Sequence, residues 1–183
     1  MSAASERFRK VAAGFTDRVQ AVPAGAWSNP APPEGWDARE VVRHLVEWIP
    51  GFWSRAAGIE LPAGPPVDDD PVEAWLALRD GLQAMLDDPE VASQEYDMPM
   101  GRMNVADAMD MICTNDVFLH TWDLARAAGL DETLDPDEVH TMLEGMEPMD
   151  DLLRTSGHYG PRVEVAADAD EQTRLIAFIG RRP

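Results

Sequence analysis

The sequence predicts an all-α fold: an up-down four-helix bundle followed by one or two additional C-terminal helices. Three observations predict it. Four segments of helical length carry apolar residues at three- and four-residue spacing, proline-rich connections separate them, and strand and helix never alternate in the βαβ manner. The 183 residues are read as one domain, with the bundle over about 4–129 and a C-terminal extension over about 130–183.

The first helix is expected from about Ala4 to Ala21, where Phe8, Val11, Ala12, Phe15 and Val19 form one stripe. The second runs from about Asp37 to Ala57. Asp37 is a suitable N-cap, and Glu40 three residues later completes a variant of the capping box. The third spans about Pro71 to Asp87, capped by Asp70, with Pro71 in the first turn and a stripe of Val72, Trp75, Leu76, Leu78, Leu82 and Met85. The fourth is expected from Asn104 or Val105 to Ala128, closed by Gly129. The connections VPAGAWSNPAPPEGW and LPAGPPVDDDP hold too much proline and glycine to continue a helix. One short strand is compatible with the residues near Tyr96. Beyond Gly129 the pattern gives a helix from about Pro136 to Arg154, an extended run from Arg162 to Val165, and a last helix from about Asp170 to Ile179.

Composition excludes several functions. The formal charge of −19, from 34 acidic and 15 basic residues, repels both phosphate backbones and anionic headgroups, so no nucleic-acid or membrane partner is expected. No apolar run is long enough to span a bilayer, and MSAASERFRKVAAGF has charges where a signal peptide needs a continuous apolar core. A cytoplasmic protein is expected. The single cysteine, Cys113, excludes an internal disulfide and a cysteine-cluster zinc site. The acidic runs at Asp68–Asp70 and Asp131–Asp137 lack the spaced calcium loop and read as solvated loops and caps. The methionines, Met98, Met100 and Met103 included, read as core filling.

Chemistry concentrates in TNDVFLHTWDLARAAGL. Asp116 and His120 stand four residues apart, which on a helix sets their Cβ atoms roughly 5–6 Å apart on one face. Such a pair can ligate one divalent cation, or it can be a salt bridge along the helix. His44 lies in an equally apolar helix, where a histidine is either a core residue or a third ligand. Two histidines and a carboxylate would leave a coordination position free, as catalytic metal sites require. Val41, Trp48 and Gly51 or Phe52 share the His44 face, so Trp48 is either core or a pocket wall. Met109 and Cys113 fall near the Asp116/His120 line, which leaves Cys113 as a small buried hydrophobe or a neighbour of the metal. Asp123 either orients the free ring nitrogen of His120 or pairs with Arg126 on the surface. His140 is read as exposed, and His158 as a tail residue outside the ligand set.

WDAREVVRHLVEW, VFLHTWDLARAAGLDETLDPDEV and the closing DADEQTRLIAFIGRRP, found in that order, resemble the actinobacterial proteins related to mycothiol-dependent maleylpyruvate isomerase. The likeness is nearer to the stand-alone metal-binding proteins of that group, within the DinB-like superfamily, and it runs over nearly the whole chain. It implies a four-helix bundle with one divalent metal ion held by His44, Asp116 and His120. Zinc heads the candidates, with nickel, iron and manganese suited to the same donor set. The isomerase resembles this pattern with glutamate at the acidic position, so Asp116 is a shorter arm. The isomerase also carries a C-terminal domain that this chain is too short to contain. The implied function is therefore metal-dependent transfer or isomerisation of a small electrophilic substrate using a low-molecular-weight thiol of the mycothiol type. A non-catalytic bundle binding a metal or small ligand is the alternative. The implied partners are a small-molecule substrate or thiol, and a second copy meeting through the Met-rich helix at Pro136 to Arg154.

Overall fold

The structure, a computed structural model, describes residues 2–98, 101–155 and 159–183. Its long helices are α1 (Ala3–Ala21), α2 (Ala38–Ala57) and α3 (Pro71–Asp87), followed by a single turn, α4 (Pro89–Ala92). A small antiparallel hairpin, β1 (Glu95–Met98) with β2 (Gly101–Asn104), leads into α5 (Val105–Ala108), a π-helical stretch over Met109–Thr114, and α6 (Asn115–Ala128). The C-terminal part holds α7 (Pro136–Met146), α8 (Asp150–Thr155) and α9 (Glu171–Phe178). This is the all-α bundle with additional C-terminal helices that the sequence predicts.

The caps form as their chemistry dictates. The side chains of Asp37, Asp70, Asp135 and Asp170 accept backbone N–H groups from the first turns of α2, α3, α7 and α9, satisfying donors that the helix itself leaves open. Gly129 closes α6 at φ 69°, a left-handed conformation that a residue with a Cβ adopts only at a cost.

Packing follows the stripes. Phe8, Val11, Ala12, Phe15 and Val19 are all buried, and on α3 so are Trp75, Leu78, Leu82 and Met85. Each large side chain removed from water in this way contributes about 1.5–3 kcal/mol relative to exposure. Phe15 meets Trp75 with ring centroids 4.5 Å apart, and the Trp75 indole N–H donates to Thr16 Oγ1 at 2.9 Å, so the one polar atom of that buried ring is satisfied. Helix α1 packs on α3 and α6, and α2 packs on the same two, which sets α1 and α2 across the diagonal of the bundle. The proline-rich connection between them spans that diagonal. It ends with Trp36, whose ring lies against His44 of α2 and His120 of α6.

Three details depart from the sequence reading. The helix expected from Asn104 or Val105 to Ala128 contains the wider π turn, and side chains take up carbonyls within it. Arg7 Nη1 donates to Asp110 O at 3.0 Å, and Asn115 Nδ2 donates to Met111 O at 2.9 Å. The helix expected from Pro136 to Arg154 breaks at Met146 into a 3₁₀ turn (Glu147–Met149) and α8, because Pro148 lacks the N–H a continuing helix needs. The residues near Tyr96 pair as a hairpin rather than a lone strand. Val139, Met142, Leu143 and Met146 of α7 are buried in the chain's own core, where α7 packs on α9. Part of the segment expected to meet a second copy is thus covered, while Met149 and Leu152 of the same segment stay exposed, at 43% and 60%. No described helix is long and apolar enough to cross a membrane. Met100 and the Met98 side chain lie outside the described residues.

Replacing Asp37 by Ala leaves the Glu40 N–H without its side-chain acceptor at the start of the helix that bears His44. The expected loss is about 1 kcal/mol of unfolding free energy, or roughly 2–4 °C of melting temperature by circular dichroism. An unchanged melt would remove Asp37 from this role.

Candidate metal centre

Helices α2 and α6 pack against each other, and their facing sides carry the three residues singled out from the sequence. His44 Nε2 lies 3.2 Å from Asp116 Oδ2, and His120 Nε2 lies 3.5 Å from Asp116 Oδ1. One donor atom from each of the three comes within 4.8 Å of the other two. Zinc bonds to nitrogen and oxygen of about 2.0–2.2 Å place ligand atoms roughly 3–4 Å apart, so adjustments on the scale of a rotamer close the difference. The donor set, two imidazoles and a carboxylate, suits a divalent transition metal. The shorter arm of aspartate suffices, since Asp116 reaches both histidines.

Asp116 also accepts from the Trp48 indole N–H at 2.9 Å. Trp48 is therefore both a wall and a polar partner. Burial pushes the Asp116 carboxyl up, but the nearby imidazoles of His120 and His44 and the Trp48 hydrogen bond outweigh it and hold the group below the ordinary aspartate range. Burial pushes His120 down, while the charge of Asp116 and the hydrogen bond to Asp123 raise it on balance.

Asp123 takes the orienting role. Its side chain is fully buried, and His120 Nδ1 approaches its Oδ2 at 2.9 Å, leaving Nε2 as the nitrogen that faces Asp116 and His44. Arg126, the alternative partner, instead pairs with Glu132 at 2.6 Å and lies over the Trp122 ring. What completes Asp123 is Arg181, whose Nε is 3.0 Å from Oδ1. Burial raises the Asp123 carboxyl, but His120 and Arg181 together hold it low.

The mouth of the site is aromatic. Trp36 stacks on His120 with centroids 5.6 Å apart and an interplanar angle of 21°, and it stands 4.9 Å from His44. Trp48 flanks His44 at 5.8 Å, and Phe52 meets Trp48 edge-on. His120 is nearly closed off, with 7% of its side chain exposed, whereas His44 keeps 30% and Asp116 27%. The donors thus open to solvent on one side. Tyr159, from the C-terminal part, lies close enough to Asp116 that its phenol is raised, first by burial and then by that carboxylate.

The remaining sequence candidates separate cleanly. Cys113 is buried, one turn before Asp116, and its thiol is pushed up by burial and then by the Asp116 charge. A thiol held protonated is a poor ligand or nucleophile. His140 is exposed and pairs with Glu171 at 2.9 Å, away from the three donors. His158 lies outside the described residues. Sequence reading did not single out Trp36, Tyr159 or Arg181. Trp36 and Arg181 stand inside two of the stretches that carry the family likeness, but no spacing or periodicity gave either a role; Tyr159 had no signal.

The sequence profile of the mycothiol maleylpyruvate isomerase N-terminal domain matches residues 8–125. Two uncharacterised proteins of Mycobacterium tuberculosis, from strains CDC 1551 and H37Rv, are each 30% identical over 126 residues, which is 67% of this chain. The matched region covers 66% of each relative, just under two thirds of its length. No solved structure matches.

The buried, protonated Cys113 is expected to resist an aromatic disulfide reagent in the native protein at neutral pH and to react stoichiometrically once denaturant is added. Rapid stoichiometric labelling of the native chain would place the thiol at the surface instead.

Proposed function

This chain belongs to the mycothiol maleylpyruvate isomerase N-terminal domain family, and on that footing we propose that it is a divalent-metal protein that uses a low-molecular-weight thiol to transform a small electrophile. The observation that carries this reading is the convergence of His44 Nε2, the Asp116 carboxylate and His120 Nε2 within 4.8 Å, from two facing helices. Zinc is the first candidate, with nickel, iron and manganese behind it. A thiol of the mycothiol type is the co-substrate favoured by the family. A bound divalent ion would supply Lewis acidity that favours the thiolate near neutral pH.

The residues divide the work by position. His44 and His120 each offer one nitrogen lone pair, and Asp116 offers the charge, so three protein ligands leave further coordination positions toward the open side. Asp123 fixes which nitrogen of His120 is presented. Trp36 and Trp48 narrow the approach and lower the local dielectric, which strengthens attraction between the carboxylate and a cation. The −19 charge of the chain adds a long-range field that draws cations in and slows anions. With Cys113 buried and protonated, the reactive sulfur comes from a separate small molecule.

Elemental analysis of tag-free protein tests the site directly. About one equivalent of metal in the unaltered chain, lost in both His44→Ala and His120→Ala, is the expected result. Conjugation of mycothiol to a small electrophile should then fall to the uncatalysed rate in the same variants. Conjugation that survives intact in a metal-free His120→Ala variant would sink the enzymatic reading.

A further inference from the structure

The family match ends at residue 125, yet the structure brings a residue from the far end of the chain onto the candidate centre. Asp123 is fully buried and faces two groups. One of its oxygens is 2.9 Å from His120 Nδ1, and Arg181 reaches both oxygens, with Nε 3.0 Å from Oδ1 and Nη2 3.2 Å from Oδ2. A guanidinium that engages both oxygens of a carboxylate fixes its plane as well as its position. With the plane fixed, the oxygen facing His120 is fixed too, and so is the ring.

The segment carrying Arg181 is itself held. Leu175, Ile176 and Phe178 of α9 are buried in the core. The chain then turns at Gly180, where φ is 87° and an added Cβ would meet the backbone of Gly160 at 3.0 Å and Pro161 O at 3.1 Å. After this turn the Arg181 N–H donates to Ile176 O at 3.0 Å, and Arg126 Nη1 donates to the Arg182 carbonyl at 3.2 Å. The tight approach at Gly180 and these two bonds set where the guanidinium sits.

We infer that Arg181 is a positioning residue of the metal centre: it clamps Asp123, which holds His120 Nδ1 so that Nε2 is presented to the cation. The C-terminal segment, which lies beyond the residues 8–125 matched by the domain profile, is thereby a component of the site. This rests on the proposed metal-binding reading, and the test separates the two.

Zinc affinity of the metal-stripped full chain is measured by competition with a chromogenic chelator, for the unaltered protein, Arg181→Met, Asp123→Asn, the double variant and His44→Ala. In parallel, proton–nitrogen NMR of the metal-free protein follows the imidazole N–H of His120, assigned by its loss in His120→Ala. Arg181→Met is expected to weaken zinc binding about 10-fold or more and to speed solvent exchange of that N–H. The double variant should bind no more weakly than Asp123→Asn alone, because both substitutions break one chain of contacts. A loss of folding stability alone would speed the exchange of buried backbone N–H groups along with this proton and would leave the non-additivity unmoved, so core amides followed in the same spectra separate the two. Where Arg181→Met fails to fold, Arg181→Lys decides, since it keeps the charge and loses the two-pronged contact. Wild-type affinity and slow exchange in the Arg181 variant, with zinc lost in His44→Ala, would overturn the inference and leave the metal reading standing. No zinc bound by the unaltered chain would overturn both.

Discussion

The carboxylate of Asp116, set between α2 and α6 among aromatic rings, imposes the constraint on which the surroundings depend. An ionised group in such a place costs several kcal/mol unless it is matched. The matching groups come from both helices: His44 and Trp48 from α2, one turn apart, and His120 from α6 itself. Because Trp48 and His44 both approach Oδ2, the pairing of α2 with α6 is fixed in register as well as contact. An apolar seam alone would tolerate sliding; a carboxylate with directional partners does not. The same convergence that stabilises the charge gathers nitrogen and oxygen donors at one point.

What surrounds that point is built from less regular parts. The connection from α1 to α2 crosses the bundle diagonal and ends at Asp37, whose side chain starts α2. Trp36, one residue earlier, therefore lands where α2 begins and stacks on His120. On the other side, the π turn over Met109–Thr114 runs directly into α6. Arg7 ties that turn to α1, to Asn115 and to Glu138 of α7, with bonds of 2.7–3.0 Å to each. A single guanidinium thus anchors the start of the helix that bears Asp116, and its partners hold it firmly charged against the cost of burial.

How much of this was legible in the sequence depends on how far apart the interacting residues lie along the chain. The Asp116/His120 pair and the Asp123/His120 contact are separations of four and three on a helix, so spacing exposes them. The stripes and caps are local for the same reason, and they appear almost where expected. His44 needed more, since spacing could not tell a core histidine from one aimed at another helix; the likeness to a family supplied that. Trp36 and Arg181 act through tertiary placement, 58 residues of chain separating Arg181 from Asp123, and no periodicity encodes such a contact. The break at Met146 was written in Pro148, but the strong apolar pattern on either side of it masked the missing N–H. The π turn had no such mark, because one of the groups that takes up its carbonyls, Arg7, lies on another helix.

The charges of the site give a further reason to read it as a place for a cation with an anionic companion. Asp116 and Asp123 are both held ionised, and Arg181 balances one of them. A cation that takes the imidazole lone pairs would leave both rings neutral, and the negative charge of Asp116 would then be matched by the cation itself. A divalent ion overcompensates by one. The charge balance, like the free side of the donor set, therefore has room for one anionic ligand, and a thiolate is such a ligand. A structural ion wrapped on all sides by protein needs no such vacancy. Here His44 and Asp116 keep about a quarter of their side-chain surface open, at 30% and 27%, behind a mouth of Trp36 and Trp48. The exposure and the aromatic walls are what the proposed role, a bound cation with a small thiol as its companion, would need.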